Sequence, residues 1–371
     1  MSDPEPDVPL LGVVASPTRI EAQLVERTPF RRLRSAGRRI VEDVDGPPRF
    51  LPLPVHRQLA DQANAPDEER AGDAWVQSIA NAIAKLTFGV RGAGVRVGLA
   101  LDARLDGRGR QVLASRDGPR VGDVVEALET ALRGRSITLG APIGRAISFV
   151  EACALGEIWS PLGGLAGGTD GLVLVWDQDV GWADVGSGEV LSSSVELPGG
   201  RLDLGLERLG VRRDAGGRTG NARRIAVDAR NGDTGARSAL AEAANALGTA
   251  AARRLLSRLA DDVSRPVGGD LEGSRPERVV LAGAGGRLAA DPRLSDCVLE
   301  PFVLGLANGL ADREDAAMRS GLLDAEGDDP PEVPPGFVHV AQDDASAVLG
   351  AAASALRGVL PPDARPTEAP S

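Results

Sequence analysis

Gly283, Gly285 and Gly286 close the short apolar run 279–281 within PERVVLAGAGGRLAA, residues 276–290. A strand that runs into glycines can turn sharply and let a ligand come close to its backbone, as nucleotide loops require. The glycine spacing is not that of a dinucleotide fingerprint, which also needs an acidic residue about twenty positions further on. The second candidate is acidic: Asp177 and Asp179 flank Gln178 between the apolar runs 172–176 and 180–185. These runs are rich in β-branched residues and read as the two strands of a hairpin. Backbone N–H groups in such a turn can face a phosphate. Two carboxylates there repel an anion unless a cation bridges them, and Mg²⁺, which prefers hard oxygen ligands, fits that requirement; solvated turn residues are the plainer reading. Asp102, Asp106 and Asp170 are the remaining carboxylates beside predicted strands, and each is a candidate general base. The cluster GGLAGG at 163–168 reads as a flexible linker rather than a ligand loop.

Composition narrows the classes. The chain has 371 residues, 42 % of them hydrophobic, and a net charge of −11. That length exceeds what one core usually serves, so two lobes are expected. An acidic chain with scattered arginines lacks the clustered basic charge that nucleic-acid binding demands. The Arg-rich stretch RTPFRRLRSAGRRI, 27–40, reads as a solvated edge strand and loop balanced by Glu42, Asp43 and Asp45 rather than as an anion site. Cys153 and Cys297 are far apart and read as buried free thiols. No apolar run approaches the ~20 residues of a membrane helix, and the acidic, proline-rich start does not look like a signal peptide. A soluble, cytoplasmic protein is expected.

The elements that must position these residues alternate between strand and helix. Runs 10–14 and 19–25, split by Pro17, predict an opening hairpin. Apolar residues at Ala71, Trp75, Ile79, Ile83 and Leu86 predict an amphipathic helix over 68–86. A strand at 95–101, a helix at 121–132, a brief strand at 136–139 and a helix at 145–158 follow. Beyond the central hairpin, 196–222 reads as irregular, 234–259 as the longest helix, 295–306 as a helix, 324–335 as an acidic, proline-rich loop, 337–340 as a strand and 345–356 as a closing helix.

This order of elements resembles the ROK family (repressors, uncharacterised proteins and sugar kinases) over about residues 8–358. The best-matched parts are 279–294, 95–112 with Asp106 matching a family Asp, and the ending AQDDASAVLGAAASAL at 341–356. The resemblance implies an α/β, two-lobed actin-like or hexokinase-like ATPase fold with RNase H-like lobes. The first, smaller lobe would take residues 8–144 plus 344–358 and the second 145–343. It implies ATP with Mg²⁺ as cofactors, a hexose and an adenine nucleotide as partners, and a glycine turn at Gly283, Gly285 and Gly286 against the nucleotide; a homodimer is the one protein partner considered. The departures fall on the chemistry. Anchored on Ala154-Leu155-Gly156-Glu157, the family's Asn falls on Ser148 and its general-base Asp on Phe149, which cannot accept a proton. The second phosphate loop falls on Asp177-Gln178-Asp179 and the first near Ala15-Ser16-Pro17-Thr18. The zinc module of active bacterial members has no counterpart, since His56 and His339 are the only histidines, so no zinc is expected. Only about nine residues precede the first strand, which counts against the repressors' DNA-binding helix-turn-helix. A degenerate sugar kinase, an active glucokinase-like enzyme with another carboxylate (Asp106, Asp177 or Asp179) as base, and a non-catalytic regulator are the functions to separate.

Overall fold

In a computed structural model, the residues described are 8–16, 19–28, 32–44, 57–88, 94–114, 121–176, 180–194, 221–263, 276–313, 317, 322–323, 332–341 and 346–356. They form two compact units, one from Met1–Pro161 and Ala345–Pro362, the other from Leu162–Asp344. Among them no single helix is long and apolar enough to cross a membrane.

The first unit is organised on a five-stranded sheet. Its strands are β1 (Leu10–Ala15), β2 (Arg19–Arg27), β3 (Leu33–Asp43), β4 (Arg96–Leu101) and β7 (Ala146–Ser148), in the order β3-β2-β1-β4-β7. β1, β2 and β3 are an antiparallel meander, whereas β4 and β7 run parallel to β1. The alternation of side chains along a strand gives each face its own partner. Leu11, Val13 and Ala15 on β1 join Val97, Leu99 and Leu101 on β4 in a core with Trp75, Ile79 and Ile83 of α1 (Arg57–Thr87) and Leu128 and Leu132 of α2 (Val124–Arg133). A small hairpin, β5 (Arg104–Leu105) and β6 (Val112–Ala114), leads from β4 toward α2. β3 is the sheet edge predicted from the Arg-rich stretch: Arg39 pairs with Glu21 at 2.5 Å and Arg34 with Glu26, while Lys85 of α1 reaches Glu42.

Glycine shapes the opposite face. Gly12 and Gly98 are register partners on β1 and β4, and α8 (Ser346–Ser354) lies directly across them. A Cβ at Gly12 would stand 2.0 Å from the Val348 carbonyl oxygen, and one at Gly98 1.7 Å from that of Ala351. α8 meets α3 (Phe149–Trp159) in the same way, with Gly156 against the Ser346 carbonyl and Gly350 against that of Ala152. Only backbones stripped of side chains approach this closely. The closing helix therefore packs on the first unit. The first unit also reaches beyond residue 144, the end set for it from the sequence. β7 pairs with β4 and α3 packs on α8, so the unit continues to Pro161.

The second unit repeats the strand plan. β8 (Gly171–Trp176), β9 (Val180–Gly186), β10 (Glu189–Ser194), β11 (Arg278–Ala282) and β12 (Val338–Val340) lie in the order β10-β9-β8-β11-β12, again a meander followed by two strands parallel to its first. One face packs on α5 (Thr234–Val263) and α7 (Ser295–Ala311), through Leu172, Leu174, Val279 and Leu281 against Leu240, Leu247, Phe302 and Leu306. α4 (Asn221–Arg230) precedes α5, and α6 (Gly283–Ala290) follows β11 directly.

Further sequence expectations change, the first being the longest helix, which is α1 with 31 residues rather than α5 with 30. The segment 136–139 contributes only an isolated bridge, Leu139 with Val95, because Ser136 sits at φ 58° and breaks an extended run. The helix expected over 145–158 is a strand through Ser148 and a helix from Phe149, because the Ser148 hydroxyl accepts the Glu151 N–H and so starts the helix there. The stretch 196–222 is not irregular to its end, since α4 begins at Asn221, while 195–220 lie outside the described residues.

Gly98→Ala is expected to lower stability by about 3 kcal/mol, the upper range for forced overpacking against rigid backbone, in urea unfolding followed by circular dichroism. Gly107→Ala is the control. It has nothing within 4 Å and should shift stability by no more than about 0.5 kcal/mol.

Candidate active site

Open α/β sheets present ligands at the carboxyl ends of their parallel strands. In the first unit these ends are level, since Ala15 pairs with Leu101 and Leu101 with Ser148. The next residues out are Ser16, Asp102 and Phe149. Trp75 Nε1 donates to the Ser16 carbonyl at 3.0 Å, and the Asp102 N–H donates to the Ala15 carbonyl at 2.9 Å, so the core helix and the neighbouring strand hold two of the three in place. The Asp102 side chain is exposed and Phe149 half-buried.

Ser148 and Phe149 occupy the strand-to-helix corner of β7 and α3. Ser148 is the N-cap, its hydroxyl 3.1 Å from the Glu151 nitrogen, and Glu151 pairs with Arg145. Phe149 is the first helical residue and brings no group able to hold or take a proton. Sequence reasoning missed the cap, though Ser148-x-x-Glu151 is a legible signal for a helix start.

Asp106 lies in the turn between β5 and β6. Its Oδ1 accepts the N–H of Arg110 at 2.6 Å and of Gln111 at 2.8 Å, closing that turn. These amides, Gln111 first, hold its carboxyl below the usual carboxylate range, the wrong direction for a general base near neutral pH. The loop it closes is fastened on both sides. The Ala146 N–H donates to the Gly109 carbonyl at 2.8 Å, and Arg110 Nε donates at 2.7 Å to Asp123, the α2 N-cap.

In the second unit Val175 is level with Ala282, and Ala282, one residue past the pair Leu281–Val340, with Ala341; Trp176 and Gly283 are the next residues out. Gly283 has φ +73°, which only glycine adopts freely, and lets the chain turn from β11 straight into α6. The N-cap Ala282 has no side chain to offer the first amides of the helix. Those N–H groups and the positive end of the helix dipole suit an anion such as a phosphate. Gly283 and Ala284 are partly exposed, but Gly285 and Gly286 are buried. A Cβ on Gly285 would lie 2.6 Å from Cε3 of Trp176, and one on Gly286 2.5 Å from the Leu281 carbonyl oxygen. The two inner glycines thus have a packing reason of their own: Gly285 seats α6 against Trp176, and Gly286 against the end of β11.

Asp177 and Asp179 lie outside the described residues, directly after β8. Asp170 is at the opposite, amino end of β8, with its Oδ1 accepting the Ser187 N–H at 2.6 Å, so it does not join the carboxyl-end group. Cys153 and Cys297 are both buried, and neither forms a disulfide. Among the described residues no group of three or more His, Cys, Asp or Glu is placed to hold a metal ion.

No protein-family model matches the sequence, and no curated protein matches it. Solved structures match by fold. A ROK family glucokinase from Streptomyces griseus, in complex with glucose and AMPPNP, superposes with a TM-score of 0.58 at 16 % identity, covering 94 % of this chain and 100 % of that one. A ROK hexokinase from Thermus thermophilus gives 0.52 at 20 % identity, with 94 % and 98 % covered. A ROK family transcriptional regulator, a homologue of the E. coli MLC protein, gives 0.51 at 12 % identity, with 94 % and 78 % covered. Two α/β units, each on a five-stranded mixed sheet, give this chain the hexokinase-like ATPase fold of the ROK sugar kinases.

Proposed function

We propose that the chain is a divergent relative of the ROK sugar kinases that keeps binding of an adenine nucleotide and a hexose-class ligand but has lost ordinary phosphoryl transfer to the sugar. The observation that carries this reading is the β7–α3 corner. The resemblance to the family implies a sugar-holding Asn and a general-base Asp there, and this chain has a hydroxyl committed to capping the helix and a phenyl ring. When bound, ATP supplies the transferable γ-phosphoryl group, with Mg²⁺ screening its charge. The residues fit a phosphate-bearing ligand at the start of α6, where Gly283 and Ala284 are partly open and the first amides have no side-chain cap. Mg²⁺, on this reading, would take oxygen ligands from Asp177 and Asp179. Loss of a general base typically costs about 10² to 10⁴ in rate.

A second reading is an active kinase with a displaced base, and one observation favours Asp102 over Asp106 for that role. Asp102 follows Leu101, the register partner of Ser148, so the exposed carboxylate lies at the same strand end as position 149.

Coupled ADP-release assays with glucose, mannose and N-acetylated hexoses should give turnover near background. Brisk turnover overturns the loss of transfer, and its abolition by Asp102→Asn would then establish the second reading. The Ser148→Asn, Phe149→Asp double variant is the companion. Asn is a good N-cap and Asp is favourable in the first turn, so the corner should fold, and a rise of about 10²-fold identifies the missing base as the main defect.

Nucleotide binding is tested by calorimetry with ATP and Mg²⁺. Replacing Gly285 is a poor probe, because any side chain there strikes Trp176. Ala284→Glu adds a negative charge that a helix N-terminus tolerates, so it should weaken ATP binding by about tenfold or more without lowering the melting temperature. Unchanged affinity would remove the nucleotide from this helix start, and no ATP binding in the wild type would sink the binding half of the proposal.

A further inference from the structure

His339 is the middle residue of β12, level with Val280 of β11, and has an unusual neighbour. Gly164 belongs to the first segment of the second unit, 162–170, and its backbone rests against the imidazole: a Cβ there would stand 2.4 Å from His339 Cδ2 and 2.9 Å from Val280 Cγ2. Arg278 of β11 reaches the same glycine, its Nη1 donating to the Gly164 carbonyl at 2.8 Å. Leu165 next to it is fully buried and fills the space above Gly171, where a Cβ would meet its Cδ2 at 2.7 Å. The segment then turns on itself, with the Ala166 N–H donating to the Gly163 carbonyl at 3.2 Å and Gly167 and Gly168 both at positive φ. His339 Nε2 is buried and has no hydrogen-bond partner among the described residues.

We propose that His339 is an acid-sensitive clip: as a neutral ring it holds segment 162–170, where the chain enters the second unit, on the β11–β12 edge, and on protonation it lets that segment go. The neutral imidazole packs here as an apolar ring. Its protonated form would bury an unsatisfied N–H beside the Arg278 guanidinium, with both cations sharing one glycine. The charge that acts on His339 is Arg278 on β11; Arg287 on α6, the helix packed on β12, is exposed, and Asp170, at the far end of the segment, has its Oδ1 taken by the Ser187 N–H. Burial first, and Arg278 second, push the His339 pKa below the ordinary imidazole value. The folded state thus binds fewer protons than the released one. The clip is fully in place above the ordinary imidazole pKa and is lost as pH falls through the lowered one.

The test is hydrogen exchange of the full chain at pH 7.5 and 5.0, corrected for intrinsic rates, with imidazole titration by NMR. His56 and His339 are the only histidines, so a His56→Gln variant assigns both signals. Protection of the Ala166 amide is expected to fall about tenfold or more on acidification in the wild type, with a midpoint that follows the His339 titration. His339→Leu keeps an apolar side chain and should keep the protection at both pH values. Undiminished wild-type protection at pH 5.0, a midpoint separate from that of His339, or equal acid sensitivity in His339→Leu would each overturn the proposal. The wild-type comparison of midpoints decides the matter even if the variant folds poorly.

Discussion

The first unit depends on the contact of α8 with a stripe of bare backbone. Gly12 and Gly98 leave a trough across the two central parallel strands, and Gly156 and Gly350 allow α3 and α8 to touch backbone to backbone. Nearly all of SAVLGAAAS is buried, and no residue in it is larger than Leu349. The gain is close van der Waals packing over the length of a short helix, and because the neighbours are carbonyl oxygens rather than flexible side chains, it tolerates no added atom. By holding α3 and β7 against β4, this packing fixes the height of the strand ends, and so the position of Asp102, Ser148 and Phe149.

The second unit reaches the same sheet order with different packing. Its long α5 and α7 carry Gly248 and Gly305 into similar backbone contacts, but they cover the sheet with large residues, Phe302, Leu247 and Leu306. At its strand ends the glycines serve two ends. Gly283 permits the turn, while Gly285 and Gly286 let α6 settle on Trp176 and the end of β11. A glycine cluster after a strand therefore has two physical explanations, and only the partly exposed members, Gly283 and Ala284, leave room for a ligand.

Much of the fold could be read from the chain. Strand runs such as LVLVW and LLGVV, and the apolar spacing from Trp75 to Leu86, carry their own periodicity, and the closing helix was placed by the resemblance of residues 341–356. The errors have local causes. Ala146 and Ile147 are apolar at a spacing that suits helix or strand, and the decision rests with the cap at Ser148. The strand ends that gather Ser16, Asp102 and Phe149 could not be seen in sequence, because register between strands far apart in the chain leaves no local trace. The same is true of Asp106. Its match to a family Asp pointed to chemistry, but its carboxylate is spent on two backbone amides of its own turn.

The first unit is also discontinuous, being completed by α8, which follows every described element of the second. On the ribosome, β1 to α3 emerge with their glycine trough open and must wait through more than half the chain before α8 is made. The second unit, whose elements are continuous, has all its parts available first. A nascent chain of this design exposes the backs of β1 and β4 for most of its synthesis, which makes that apolar face the surface a chaperone would meet.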